Sequence, residues 1–142
     1  ENKKRMDERC LTDCIYFYRS EFQNPNSTFF IDNKQAFPNI KDFILQAKEC
    51  GGITSLAHIE EYCAIERKQE FLDALVNETK IDAIECFHPS IAKEKTPYYM
   101  DYAKKHNLLV SAGSDFHGET VTSRRHLNTK ATANEVNILK IR

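Results

Sequence analysis

From residue 39 to residue 112, stretches of helical periodicity alternate with short, nearly continuous apolar runs. Ile40, Phe43, Ile44 and Ala47 recur on one helical face, behind Asn39 as N-cap and with Asp42 in the first turn. Gly51 and Gly52 end that helix and feed a strand expected over 53–58. Ile65, Leu72, Leu75 and Val76 predict a second helix over about 64–78, and a strand over 82–87 follows. Thr96 reads as an N-cap with Pro97 at the first helical position. That helix runs to about His106, with Asn107 as a left-handed stop before a strand over 108–112. The apolar runs start at 53, 81 and 108, spacings of 28 and 27 residues that match βαβ units. Runs such as LLVSA suit parallel strands buried on both faces, so the expected class is α/β with a parallel sheet.

The first 38 residues lack this rhythm. Cys10, Cys14 and Phe17, with Leu11, Ile15, Tyr18 and Phe22, predict one helix over 3–22. Asn24-Pro25-Asn26-Ser27 reads as a turn, and Phe29, Phe30 and Ile31 as a short extended patch. Residues 1–38 are therefore expected to be a helical insertion or lobe, and 39–142 a β/α portion. After Gly118 the pattern weakens, and ILKI at 138–141 predicts a last short strand.

Each apolar run ends in a polar residue. His58 closes the first, His88 the second, and Asp115 and His117 follow the third. In a parallel sheet all three ends fall on one rim, where such proteins keep their chemistry. Imidazole and carboxylate together suit zinc, manganese or iron. A metal ion acidifies bound water, giving a hydroxide nucleophile near neutral pH, so metal-assisted hydrolysis is the expected reaction. Glu60, Glu61 and Glu85 are further carboxylates; alternation along the strand points Glu85 away from His88. His106, at a helix end, reads as structural, and His126 stays open.

Composition narrows the alternatives. The 142 residues suffice for one domain with a core, and 41% hydrophobic with 29% charged is ordinary for a globular protein. A formal net charge of −1 gives no general pull toward nucleic acid, and the basic excess after Gly118 reads as solvated surface. No run approaches a membrane span or a signal peptide. Five cysteines without C-x-x-C read as free thiols in a reducing compartment, so the expected location is cytoplasmic. Cys10 and Cys14, one turn apart among apolar neighbours, read as core. No G-x-S-x-G, P-loop or G-x-G-x-x-G is present.

GGITSLAH, IDAIECFHPS and KKHNLLVSAGSDFHG together resemble the C-terminal half of the PHP (polymerase and histidinol phosphatase) domain family, over roughly residues 38–118. The resemblance implies part of a distorted, seven-stranded β/α barrel with two or three divalent ions on its rim. It implies His58, Asp115 and His117 as metal ligands, Asp115 and His117 as catalytic residues, and His88 as a contact to substrate phosphate. Residues 1–38 would then belong to the insertion that folds as a small lobe over the site. The implied activity is hydrolysis of a small phosphorylated metabolite or nucleotide by a metal-bound hydroxide. A PHP module of a DNA polymerase or repair protein, and a non-catalytic remnant, are the alternatives. Ile59 stands where relatives carry Pro, and Ile91 where many carry a second His. The family's opening H-x-H has no counterpart, and the first residue is Glu1 rather than Met. The chain therefore reads as a fragment. Its expected partner is the missing N-terminal half of the same domain or a neighbouring chain, and alone it is expected to be weak or inactive.

Overall fold

The computed structural model describes residues 5–62, 67–117 and 131–138. Two compact units divide the chain, Glu1–Pro38 and Asn39–Arg142.

In the first unit the expected helix over 3–22 is broken into pieces. A 3-10 turn spans Glu8–Leu11, helix α1 spans Cys14–Phe17, and a π turn spans Tyr18–Phe22. The cause is Asp13. Its carboxylate accepts from the backbone N–H of Ile15 at 3.1 Å and of Tyr16 at 2.9 Å, so it caps a new helix where the old one would have continued. Asp7 does the same one turn earlier for Arg9, at 2.8 Å. Breaking the helix also separates the two cysteines: Cys10 is buried, whereas Cys14 is exposed and not the core residue expected. Residues 29–31 make no strand.

The second unit is a three-stranded parallel sheet in the order β1 (Ser55–Leu56), β2 (Ala83–Phe87), β3 (Leu109–Ala112). Helices α2 (Ile40–Glu49), α3 (Lys68–Thr79) and α4 (Thr96–Lys105) alternate with the strands. The three strand segments fall where the apolar runs lie, although β1 keeps only two ladder residues of the expected six. Asn39 caps α2 through a 2.9 Å bond from the Lys41 N–H, and Gly51, at φ 76°, closes it in the left-handed region. Asn107, at φ 54°, performs the same turn after α4. Lys95, not Thr96, is the N-cap of α4, because Tyr99 N–H already reaches Lys95 O and so starts the helix one residue earlier.

Leu56, Ile84 and Val110 share a row across the sheet and enter the core with Leu72 and Leu75 of α3 and Tyr99, Tyr102 and Ala103 of α4. Each such large side chain, taken from water, contributes roughly 1.5–3 kcal/mol. Only β2 is buried at every residue. On β3, Val110 is buried while Ser111 is partly exposed, because the described helices cover one face of the sheet. Ser55 and Ser111 hydroxyls, 2.7 Å apart, mark the opposite face.

A polar clip fixes the register at the amino ends of the strands. Thr54 N–H and Oγ1 donate to Asp82 Oδ2 at 3.0 and 2.7 Å, and Lys48 Nζ pairs with Asp82 Oδ1 at 2.8 Å. At the outer edge, Val110 N–H donates to Asn137 Oδ1 at 2.6 Å and Val110 O accepts from Asn137 N–H at 3.2 Å. The segment 131–138 thus covers the free side of β3. No helix of the described residues is long and apolar enough to cross a membrane. Residues 139–142, including most of ILKI, and His126 lie outside the described residues.

Candidate metal centre

The carboxyl ends of the three strands meet on one rim. After β1 the chain turns sharply at His58, whose backbone is left-handed (φ 34°, ψ 53°), and enters a 3-10 turn over Ile59–Glu61. Ile59, 1% exposed, anchors that turn in the core, and Glu60 and Glu61 project from it. The two carboxylates have different fates. Glu60 is locked: its nearly buried side chain pairs with Lys68, with Lys95 at 2.8 Å, and with the Tyr99 hydroxyl. Burial alone pushes its carboxyl up, but these donors outweigh it and hold it at about 2. Glu61 instead faces the rim.

After β2, His88 is buried. Its Nδ1 receives the Ser90 N–H at 3.0 Å and lies 2.6 Å from Ser90 Oγ. Its Nε2 lies 3.8 Å from Asp115 Oδ2. After β3, Asp115 is also left-handed, at φ 49°. Among the described residues four non-glycine positions have positive φ; Lys80 and Asn107 end helices, and the other two are His58 and Asp115. Strain of about 1 kcal/mol or more at such positions concentrates at functional sites.

One ligand atom each from Glu61, His88 and Asp115 lies within 4.8 Å of the others. Two carboxylates and an imidazole at that spacing fit a divalent cation. His58 stands against this group, its ring centroid 5.7 Å from that of His88 and 5.2 Å from that of Tyr62. Its Nδ1 is buried and makes no hydrogen bond among the described residues, an unmet polar atom of the kind a cation satisfies. Burial, with Glu61 and then Glu85 nearby, pushes the Tyr62 hydroxyl above its ordinary range. His117, with a side chain 59% exposed, reaches the group through Asp115, its Nε2 being 2.8 Å from Oδ1.

Of the residues singled out from sequence, the structure therefore gathers Asp115 and His88 into one cluster, sets His58 beside it, and holds His117 at its edge. It adds Glu61, which the sequence marked only as one carboxylate among several. Glu85 is a correction: rather than pointing away, its Oε2 accepts the His58 N–H at 2.7 Å, and its Oε1 lies so close to Gly113 that a Cβ there would fall 2.0 Å from it. The reason is a register irregularity in β2 between Glu85 and Phe87. An inserted residue at Cys86 shifts the alternation, so that Glu85 and His88 both reach His58. His106 caps α4 and stacks on Tyr102 at 4.3 Å, away from the rim.

Beside His88 opens a cleft of about 570 Å³. Phe87 and Ile91 form its buried floor, and Lys93, Pro97 and Glu135 stand on its rim.

No protein-family model matches this chain, and no curated protein matches it. Solved structures do. An amidohydrolase from Chromobacterium violaceum, with bound sulfate and no metal, is 17% identical with a TM-score of 0.66, over 90% of this chain and 44% of that one. A provisionally named metal-dependent phosphoesterase from Bifidobacterium adolescentis is 25% identical with a TM-score of 0.55, over 74% of this chain and 36% of that one. The chain thus spans less than half the length of either neighbour. The likeness expected from LAH, ECFHPS and SDFHG is also a likeness of coordinates: this chain has part of the fold seen in a metal-dependent phosphoesterase and an amidohydrolase.

Proposed function

We propose that this chain supplies part of the centre of a metal-dependent phosphoester hydrolase, acting on a small phosphorylated metabolite or nucleotide. The observation that carries the reading is the approach of Glu61, His88 and Asp115, each placed after a different strand, to within 4.8 Å. The name of the 25% identical neighbour supports a phosphoester as the bond broken. Manganese, iron or zinc suits these donors. A divalent ion bound there acidifies a water molecule and offsets charge on phosphoryl oxygens.

The chain's own residues do the rest. Asp115 would help to hold an ion beside His88, while its Oδ1, 2.8 Å from His117 Nε2, orients that ring. On the other side of the His88 ring Ser90 meets Nδ1 with its N–H at 3.0 Å and its hydroxyl at 2.6 Å, which fixes the plane in which Nε2 faces Asp115. His88 also borders the cleft, so a phosphoryl group seated there lies against it. His58 and His117 extend the donor set toward a second ion, with two or three in the complete protein.

The complete centre needs more of the barrel than these three strands. Among the described residues strand β1 has one partner strand, and Ile40, Phe43 and Ile53, which precede it in the chain, are 49%, 56% and 44% exposed. We read the covering element as the N-terminal half of the same domain, or a neighbouring chain, with residues 1–38 as the inserted lobe. The free thiols of Cys10, Cys14, Cys50 and Cys86 suit a cytoplasmic setting.

Phosphate release from nucleoside monophosphates with added manganese, compared between this chain and the full gene product, tests the reading. Release by the longer protein, abolished in Asp115→Asn, supports it. Release unchanged in that variant contradicts it, and equal rates for both lengths contradict the need for the remaining strands.

A further inference from the structure

We propose that the cleft beside His88 is the pocket for the alcohol part of the ester, and that it selects an uncharged alcohol carrying an aromatic or apolar ring over an open-chain polyol or a second phosphate. The inference rests on the hydrolase reading above, because it takes the phosphoryl group to sit at the cluster.

The cleft and the cluster share His88, so the cleft adjoins the place where a phosphoryl group at the cluster would carry its alcohol. At about 570 Å³ the cleft is of ligand size. Its floor is Phe87 and Ile91, 8% and 4% exposed, and Pro97 adds an apolar wall at the start of α4. Thr96 and His88 are the neutral polar residues of the lining, so a hydroxyl-rich alcohol loses more water on entering such a floor than they replace. The charged groups on the rim are Lys93 and Glu135, one of each sign. Glu135 Oε2 is already taken by the Thr132 N–H and hydroxyl, at 2.8 and 2.7 Å. With opposite charges on its rim the cleft offers no net attraction to a second anion.

Binding of 2-naphthyl phosphate and of glycerol 2-phosphate to the chain in manganese, followed by calorimetry, tests this together with Pro97→Asp. Pro97 is exposed in the first turn of α4, where an acidic residue is favourable, so the variant keeps its fold while placing a charge on the apolar wall. The naphthyl ester is expected to bind about tenfold more tightly than the glycerol ester, and the variant to erase that preference. Equal affinities, or a preference untouched by Pro97→Asp, overturn the proposal while leaving the hydrolase reading intact. A preference that is present and lost in the variant, with no phosphate released by the full gene product, upholds the pocket and defeats the hydrolase reading.

Discussion

The carboxylate of Glu85 accepts the backbone N–H of His58 at 2.7 Å, and so ties the middle strand to the residue that turns the chain away from β1. His58 holds φ 34°, a conformation a side chain resists, and the buried Glu85 acceptor is one of the contacts that keep it there. The turn that follows delivers Glu61 to His88 and Asp115. Glu85 is thus a positioning residue, hidden beneath the cluster.

Gly113→Ala tests that role without touching a ligand. The added Cβ would fall 2.0 Å from Glu85 Oε1, the far end of a flexible side chain, so the fold survives and the carboxylate moves. Manganese affinity is expected to drop roughly 10–100-fold, the usual cost of losing an outer-shell support. The unfolding midpoint should change little. An unchanged affinity, measured by equilibrium dialysis, contradicts the positioning role.

Ser90→Ala removes the hydroxyl that lies 2.6 Å from His88 Nδ1 and helps to hold the ring. Metal affinity should fall by a similar factor, and Ser90→Thr, which keeps the hydroxyl, should restore most of it. Failure of the threonine variant to differ from alanine would show that the hydroxyl has no part in holding the ring.

Glu60 and Glu61 are neighbours with opposite expected phenotypes. Glu60→Gln leaves Lys68, 6% exposed, without its carboxylate, and should cost about 3 kcal/mol of stability. Glu61→Gln should leave the urea midpoint almost unmoved and weaken manganese binding at least tenfold. If the two variants behave alike in both measurements, the division of labour drawn here is wrong.

Acid should loosen the amino ends of the strands. Burial raises the Asp82 carboxyl, but Lys48 and the N–H and hydroxyl of Thr54 outweigh it and hold it below its ordinary 3.8. A depressed carboxyl contributes its full stability above the ordinary value and loses it as pH falls through the depressed one. The stability gap between the wild type and Asp82→Ala, about 2 kcal/mol at neutral pH for the lost hydrogen bonds, should therefore shrink only below about pH 4. Thermal unfolding of both proteins across pH 2–7 measures it, and a gap that is constant throughout would contradict the clip.

The alternation of strand and helix was legible because Leu56, Ile84 and Val110 are buried in runs bounded by Asn39, Gly51 and Asn107, which punctuate the chain through local chemistry. The convergence of His58, His88 and Asp115 followed from parallel pairing alone. Glu85 was misread because an irregularity at Cys86 shifts the alternation of β2, and no residue there advertises a bulge. Glu61 was not picked out because its direction depends on the left-handed turn at His58, which the sequence disguises by using a residue other than glycine. The helix expected over 3–22 broke because Asp13 offers the backbone a new cap, and a single acidic residue inside an apolar pattern does not reveal which way it will bond.

Equilibrium dialysis of the purified chain against manganese, alongside Asp115→Asn, tests the convergence of Glu61, His88 and Asp115 most directly. Saturable binding of at least one ion by the wild type, weakened tenfold or more in the variant, is the expected result. No saturable binding, or equal binding by the two proteins, would contradict a metal centre at this rim.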